Sequence, residues 1–518
     1  MHNEPAVHRT LNRAKKYQLV LFPFNNGATN VYFILTSTYI AYLANGVLSL
    51  AMLFATTVFT VMRALDAFID PIIGILIDKT QGRFGKFRPF IILGNLIMAA
   101  SVFTMYFGTR LIPDSAMWLR YAFFTLIYIF LMIGYTFQTA CTRSGQTCIT
   151  NDPKQRPLFT VFNTIASLVG MGLIQVVAAV IGGMHGYGST NFFDIVIPLS
   201  AVLSMILTVL AVIAIWEKDR PEYYGVNKKQ EKVKLREYAK ILIKNRELQM
   251  LVIAGGVNKL ALSIATNATV ACILYASIMG NYNGLYLPMY IIGYAASVPF
   301  FLLSVRTAQK HGQKAALTRY TTLALVLYVG LLTLLIFWKP GNPATLLSLT
   351  HINLYTVLFL LFYCIGYGSY YSTADMSIPM VADCSDYETY RSGKYIPGII
   401  GTLFSLVDKL VSSLGSTIVG LAVLFIGIKT LPDTKTPYLP GMKWLVIVLF
   451  CIIPMIAWVV TLIAMRYYSL SGERMKEIQA VNATRKHAIA NGMSLQEALK
   501  NWSTIDQVPQ EFLPDSHK

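Results

Sequence analysis

The chain has 518 residues, 55% of them hydrophobic and only 13% charged, against about 25% charged in ordinary water-soluble domains. That density cannot coat several water-facing surfaces, so a soluble multidomain protein is excluded. The net charge of +18 would suggest nucleic acid in a soluble chain, but no soluble domain is present to carry such a partner.

In chain order, the segment MHNEPAVHRTLNRAKKYQ is polar, and the first apolar segment is too long for a signal-peptide core, so it is expected to stay in the mature protein. Apolar segments follow near residues 20–43, 47–77, 89–109, 117–142, 157–183 and 193–216, then near 248–278, 284–304, 316–338, 352–381, 397–427 and 443–465. Segments of this length and apolarity read as membrane spans of about 20 residues or more. They predict an all-α polytopic membrane protein with twelve transmembrane helices. With the N-terminus cytoplasmic, 34 of the 43 Lys and Arg face that side, six face the other, and three (Arg63, Lys259 and Lys409) lie within spans. This asymmetry predicts a cell-membrane protein with both termini cytoplasmic. The six cysteines have no metal-like spacing and are not expected to form disulfides.

The loop after span 2 reads DKTQGRFGKFRP, Asp78–Pro89. Gly82 and Gly85 permit a tight reversal, and Pro89 suits the first turn of the next helix. Arg83, Lys86 and Arg88 can pair with Asp78 or with helix C-terminal carbonyls. Asp78, Gly82, Arg83, Gly85 and Arg88 are therefore read as a cytoplasmic gate. The loop after span 8, RTAQKHGQKAAL, repeats the pattern, with Gly312 lying 230 residues beyond Gly82. The longest polar segment between spans, Glu217–Glu247, has ten basic and six acidic residues. It divides the chain into residues 1–216, a basic linker 217–247, residues 248–466 and a tail 467–518. Two six-helix halves carrying equivalent loops are the pattern of a 6+6 repeat transporter.

Ionisable residues inside spans are functional candidates by default. Span 2 holds three, Arg63, Asp66 and Asp70, in RALDAFIDPIIG. Their i, i+3 and i, i+4 spacing places them on one helix face. Two carboxylates one turn apart in low dielectric favour protonation of one or a cation between them, as a reversible proton or alkali-cation site requires. A structural Arg63–Asp66 pair is the competing reading. Span 11 carries Asp408 and Lys409 among small residues, so Lys409 is expected to face the bundle and to pair with the span 2 acids when no ion is bound; a self-contained Asp408/Lys409 pair is the alternative. Lys259 is expected to snorkel or pair locally, and no role is assigned to Asp375.

RALDAFIDPIIG with DKTQGRFGKFRPF, and VADCSDYETYRSGKYIPGIIGTLFSLVDKL at Val381–Leu410, resemble signatures of the glycoside–pentoside–hexuronide:cation symporter family, the melibiose-permease-like proteins. The resemblance implies a major-facilitator fold of two pseudo-symmetric halves. It implies that Asp66 and Asp70 bind the coupling Na⁺, Li⁺ or H⁺, that Thr136 helps coordinate Na⁺, and that Tyr135 lines the substrate site. Lys409 matches the family's span 11 lysine. Two sugar-binding acids of melibiose-type permeases correspond to Asn25 and Thr139, a stacking tryptophan to Arg143, and a span 5 arginine to Asn163. The coupling groups are thus kept and the sugar-binding groups changed.

These readings lead to a cation-coupled symporter, not an enzyme, importing a sugar or glycoside by alternating access, monomeric and without a cofactor. Ile69 offers no oxygen beside Asp70, which favours H⁺, while Thr136 argues for Na⁺. Asn25 on span 1 and Thr139 are neutral, and Thr136, Thr139 and Arg143 share one face of span 4, which together admit an acidic glycoside; a neutral sugar remains the other possibility. The alternatives are a lysolipid or other amphipath carrier on the same fold and a membrane-embedded sugar sensor. A membrane enzyme is disfavoured because no HExxH, GxSxG or paired metal-ligand motif occurs.

Overall fold

The structure, a computed structural model, describes residues 13–80, 82–150, 155–220, 242–374, 376–393 and 397–510. Most of the linker and Asp375 lie outside the described residues, as do the side chains of Asp78 and Arg143. Among the described residues, eleven helices are long and apolar enough to cross a membrane. Span 1 is not one continuous helix. It runs from Lys16–Leu21 through Phe24–Ile34 and then alternates π-helical turns, Leu35–Tyr39 and Leu43–Val47, with the short Ile40–Tyr42. Span 7 is also interrupted, Arg246–Ala265 giving way at Thr266 and Asn267 to Ala268–Ala271 and the π-helical Cys272–Ile278.

The other spans are span 2 (Met52–Lys79), span 3 (Arg88–Phe103 with a π turn to Gly108), span 4 (Met117–Ile149), span 5 (Gln155–His185) and span 6 (Thr190–Ile215). In the second half they are span 8 (Tyr282–His311), span 9 (Gln313–Phe337), span 10 (Leu354–Thr373), span 11 (Pro397–Phe425) and span 12 (Met442–Tyr467, with a π turn at Ile447–Ile452). Helix Ser377–Ser392 follows span 10, and helices Gly472–Ala490 and Leu495–Asn501 form the tail.

Contacts gather the chain into two units: Met1–Gln230 with Val423–Thr436, and Glu231–Ala422 with Pro437–Lys518. Val423–Thr436, in the second half of the sequence, groups with the first unit. Asp433 explains its position: its carboxylate accepts from the amides of Tyr187 (2.7 Å) and Gly188 (3.0 Å). Tyr42 donates to the Pro432 carbonyl at 2.8 Å, and the Leu431 amide donates to Asn45 at 3.2 Å.

Within the first unit, small residues let helices approach closely. A Cβ on Gly94 would lie 2.8 Å from the Gly134 carbonyl, joining spans 3 and 4, and one on Gly27 would lie 2.7 Å from the Ala166 carbonyl, joining spans 1 and 5. Buried amides and hydroxyls pair between helices, Asn95 to Ser204 at 2.6 Å and Gln138 to Thr208 at 3.0 Å. Span 6 turns Ser200, Ser204 and Thr208 inward and exposes Ile195, Leu199, Val202, Ile206 and Val209 at helical spacing. A stripe of that kind is stable only where lipid covers it.

In the second unit, spans 7 and 11 pack through Gly256, where an added Cβ would touch Val411 at 3.5 Å, and through Gly415, which leaves no room for a Cβ against Ser263. The tail packs on helix Ser377–Ser392. Arg485 donates to the carbonyls of Tyr390 and Trp502, both at 2.7 Å, Asn482 donates to the Asp386 carbonyl at 2.9 Å, and Tyr390 donates to the Ser503 carbonyl at 2.6 Å.

Candidate ion and sugar sites

Asp66 is fully buried, and span 4 supplies the group it faces. The Thr136 hydroxyl lies 2.8 Å from Asp66 Oδ1 and 2.9 Å from the Met132 carbonyl. One hydroxyl carries one proton. Donated to Met132, it leaves an oxygen lone pair aimed at the carboxylate, the arrangement that a shared proton or a metal cation uses. Arg63 Nη1 sits 3.4 Å from Asp66 Oδ2, a long contact for an ion pair. Its guanidinium is boxed by Phe33 at 4.7 Å, Tyr135 at 5.4 Å and Phe59 at 5.5 Å, measured to the ring centroids. These cation–π contacts hold the charge beside the acid, and Arg63 Nη1 donates to Asp66 Oδ2 across that 3.4 Å. Asp70, one turn further along span 2, is half-buried. A cavity of about 10 Å³ lined by Tyr32, Phe33, Phe59, Arg63 and Tyr135 adjoins the guanidinium; that is room for about one water.

The expected sugar residues divide. Tyr135 and Thr139 are half-buried on span 4, Thr139 donating to the Thr136 carbonyl at 3.2 Å. Asn25 is fully buried instead and ties span 1 to span 4, donating to the Gln138 carbonyl at 2.9 Å and to Thr142 at 2.7 Å. Asn163 on span 5 is half-buried, with Oδ1 lacking a hydrogen-bond partner among the described residues.

The loop after span 2 is organised by a residue the sequence reading passed over. Asp219, just beyond span 6, is buried and accepts from the amides of Lys86 (2.8 Å), Phe87 (3.0 Å) and Arg88 (2.9 Å). Arg88 Nε adds a contact at 3.3 Å. The carboxylate thus caps the positive end of span 3. Arg88 has this partner, and Arg83 is exposed. Gly85, at φ +88°, is in the left-handed region, and a Cβ there would collide with the Asp219 carboxylate. Gly82 is exposed, and its carbonyl accepts from the Gly85 amide at 3.0 Å. The repeat shares its special glycine at another register. Gly312, at φ +85°, is the single residue between spans 8 and 9. It matches Gly85, 227 residues earlier, in conformation; Gly82 has no such φ.

In span 11, Asp408 meets a residue of span 7. Lys259 Nζ on span 7 lies 3.1 Å from its Oδ2, so Lys259 neither snorkels nor pairs locally. The reason is the close approach of spans 7 and 11 at Gly256 and Gly415. Lys409 is half-buried, with neighbours Ser412 and Ser413 bonding back to backbone carbonyls at 3.3 and 2.8 Å. None of the six cysteines forms a disulfide, and no group of three metal-ligating side chains occurs among the described residues. A cavity of about 730 Å³ is an open depression on the tail beside His487, Glu497 and Trp502.

The sequence family described as MFS/sugar transport protein matches residues 24–472. The chain belongs to this family. It is therefore an all-α major-facilitator transporter embedded in a membrane by many spans, and not an enzyme, in line with its resemblance to glycoside–pentoside–hexuronide:cation symporters. YagG of Escherichia coli K12, named as a candidate glycoside/cation symporter, is 24% identical over 89% of this chain and 92% of its own length. The inner membrane symporter YicJ of the same organism is 24% identical over 92% of this chain and 96% of its own. The crystal structure of the nucleoside transporter NupG superposes with a TM-score of 0.55 at 15% identity, covering 88% of this chain and all of that one. At such identity it shows the fold alone.

Proposed function

We propose that the protein is a cation-coupled symporter that imports a sugar or glycoside by alternating access, with both termini in the cytoplasm. The observation that carries this reading is the cluster Asp66–Thr136–Arg63, a buried acid in a span of a sugar transporter with an oxygen at 2.8 Å and its counter-charge at 3.4 Å. The relative YagG, named for glycoside/cation symport, supports the same reading.

The arrangement suggests how coupling works. In the ion-free state Arg63 neutralises Asp66. A cation at Asp66 and Asp70 replaces that charge and releases Arg63 towards Tyr135, whose ring already lies against it. A glycoside contacting Tyr135 then meets a differently placed guanidinium, so ion and sugar each alter the other's affinity by the same factor. The proton is the favoured ion: Ile69 adds no oxygen beside Asp70, and a resident guanidinium opposes a metal cation more than a bound proton. The loop held by Asp219 would act as the cytoplasmic gate, with Gly85 and Arg88 as its working parts.

Reconstituted vesicles test this. Labelled glycosides should show counterflow, and an imposed inward proton gradient should drive accumulation. Lysolipid uptake without glycoside counterflow would overturn the solute, and counterflow unaffected by either a pH or a Na⁺ gradient would overturn the coupling.

A further inference from the structure

The second unit holds an ionic pair and an array of tyrosines that the coupling scheme leaves unused. On span 8, Tyr282, Tyr286, Tyr290 and Tyr294 follow i, i+4 spacing; on span 10, Tyr355, Phe359, Tyr363, Tyr367 and Tyr371 do the same. Such spacing stacks side chains along one face. The two rows meet where Tyr294 lies 5.0 Å from Tyr371 and 6.4 Å from Tyr367, and Tyr290 continues the contact to Tyr294 at 4.6 Å. Tyr290, Tyr294 and Tyr371 are half-buried, whereas Tyr286, Tyr363 and Tyr367 are buried. The available ring faces therefore belong to the meeting point. The cavity among the inner rings is about 50 Å³, which takes water but not a pyranose.

Spans 7 and 10 meet one residue before Lys259. Tyr370 donates to the Asn258 carbonyl at 2.6 Å, which fixes its neighbour Tyr371 relative to Lys259, the residue after Asn258. Lys259 in turn holds Asp408 at 3.1 Å, and both side chains keep accessible surface, 25% and 15%. Asp219, the structural acid of the other unit, keeps none. A pair that only joined two helices would have no need of that exposure, given what charge costs inside a span.

We propose that Asp408, Lys259 and the ring faces of Tyr294 and Tyr371 form a recognition site for a neutral glycoside. The proposal rests on the sugar-transport reading above and names the chemistry of its substrate. A pyranose has an apolar C–H face that stacks on an aromatic ring and a rim of hydroxyls. A carboxylate accepts from two neighbouring hydroxyls, and an ammonium donates to a third oxygen. Asp408 thus supplies the acid that positions Asn25 and Thr139 lack. The pair sums to zero charge, and its carboxylate repels an anion. The preferred solute is a neutral glycoside over the matching uronide.

The test uses the full chain in lipid nanodiscs with 4-nitrophenyl glucoside, galactoside and xyloside, and 4-nitrophenyl glucuronide, followed by calorimetry. If the wild type binds none of the three neutral glycosides, the sugar-transport reading fails and takes this proposal with it. If it binds one, the double variant Lys259→Met/Asp408→Leu decides. It removes both charges at once and strands neither, so folding should survive, while affinity falls at least thirtyfold. Tyr371→Leu, which keeps bulk but loses the ring, should lose about tenfold, and the glucuronide should bind at least tenfold more weakly than the glucoside. Double-variant affinity within threefold of wild type, or glucuronide binding equal to that of the glucoside, overturns the proposal while sparing the transport reading. Should the double variant fail to fold, Tyr371→Leu decides alone, and affinity within threefold of wild type overturns the proposal.

Discussion

Asp66 and Asp219 are both buried aspartates of the first unit, and their surroundings differ. Asp219 is satisfied by three backbone amides and Arg88 Nε. Asp66 has a hydroxyl with a second claim on its proton, at the Met132 carbonyl, and a guanidinium 3.4 Å away that aromatic rings hold in place. A carboxylate whose acceptor sites are met by fixed backbone donors has no reason to exchange its partners. One whose partners are movable can trade them for an ion. Burial alone does not separate a structural acid from a working one; the kind of donor does.

The comparison is broken most directly by stability. Asp219→Asn turns a donor-bearing amide towards backbone N–H groups and removes the charge opposite Arg88, which should cost about 3–5 kcal/mol. Asp66→Asn, with Arg63 still held by its rings, should cost under about 2 kcal/mol. Thermal unfolding in detergent measures both, and the reverse order would contradict the assignment. The glycines sharpen it next. Gly85→Ala forces a left-handed residue against the Asp219 carboxylate and should cost about 1–3 kcal/mol, while Gly82→Ala should change stability by less than about 0.5 kcal/mol. Equal effects would mean that Asp219 does not set the loop. Thr136→Val removes the oxygen facing Asp66 and should weaken ion activation about tenfold, roughly 1.4 kcal/mol, with Thr136→Ser restoring it; uptake measured against ion concentration reports this.

The smallest effect concerns Asp383 on the helix after span 10. Partial burial, with Asp386 adding repulsion, pushes its carboxyl up to about 6, above the usual value near 4. The folded state then holds a proton that the unfolded state releases. Stability from this group is full below about pH 4, falls as the pH rises to about 6, and is flat beyond. Allowing for its partial exposure, Asp383→Asn should remove that slope and add about 1 kcal/mol at pH 7. An unchanged slope in the variant would show that another group causes it.

The spans and the acids of span 2 were legible in the sequence, because apolar length and intramembrane charge are local signals; Thr136 came only from the family resemblance. The breaks in spans 1 and 7 were not, since π-helical turns leave no mark in hydropathy. Asp219 was hidden among the charges of a basic segment, although WEKDRP places an acid just past a span end. The Lys259–Asp408 pair joins residues 149 apart and depends on which glycines two helices share. Asn25 reads as a sugar ligand by position; its amide nitrogen ties span 1 to span 4, while Oδ1 has no hydrogen-bond partner among the described residues. The tyrosine rows were visible in spacing alone, but stacking within a core and stacking on a sugar have the same periodicity.

The most direct test of the coupling claim compares accumulation with exchange in the same vesicles. Asp66→Asn and Asp70→Asn should each abolish accumulation of a labelled glycoside under an imposed proton gradient while retaining measurable equilibrium exchange, because the ion site is lost and the solute path is not. Accumulation at the wild-type level in both variants would contradict the assignment of these carboxylates.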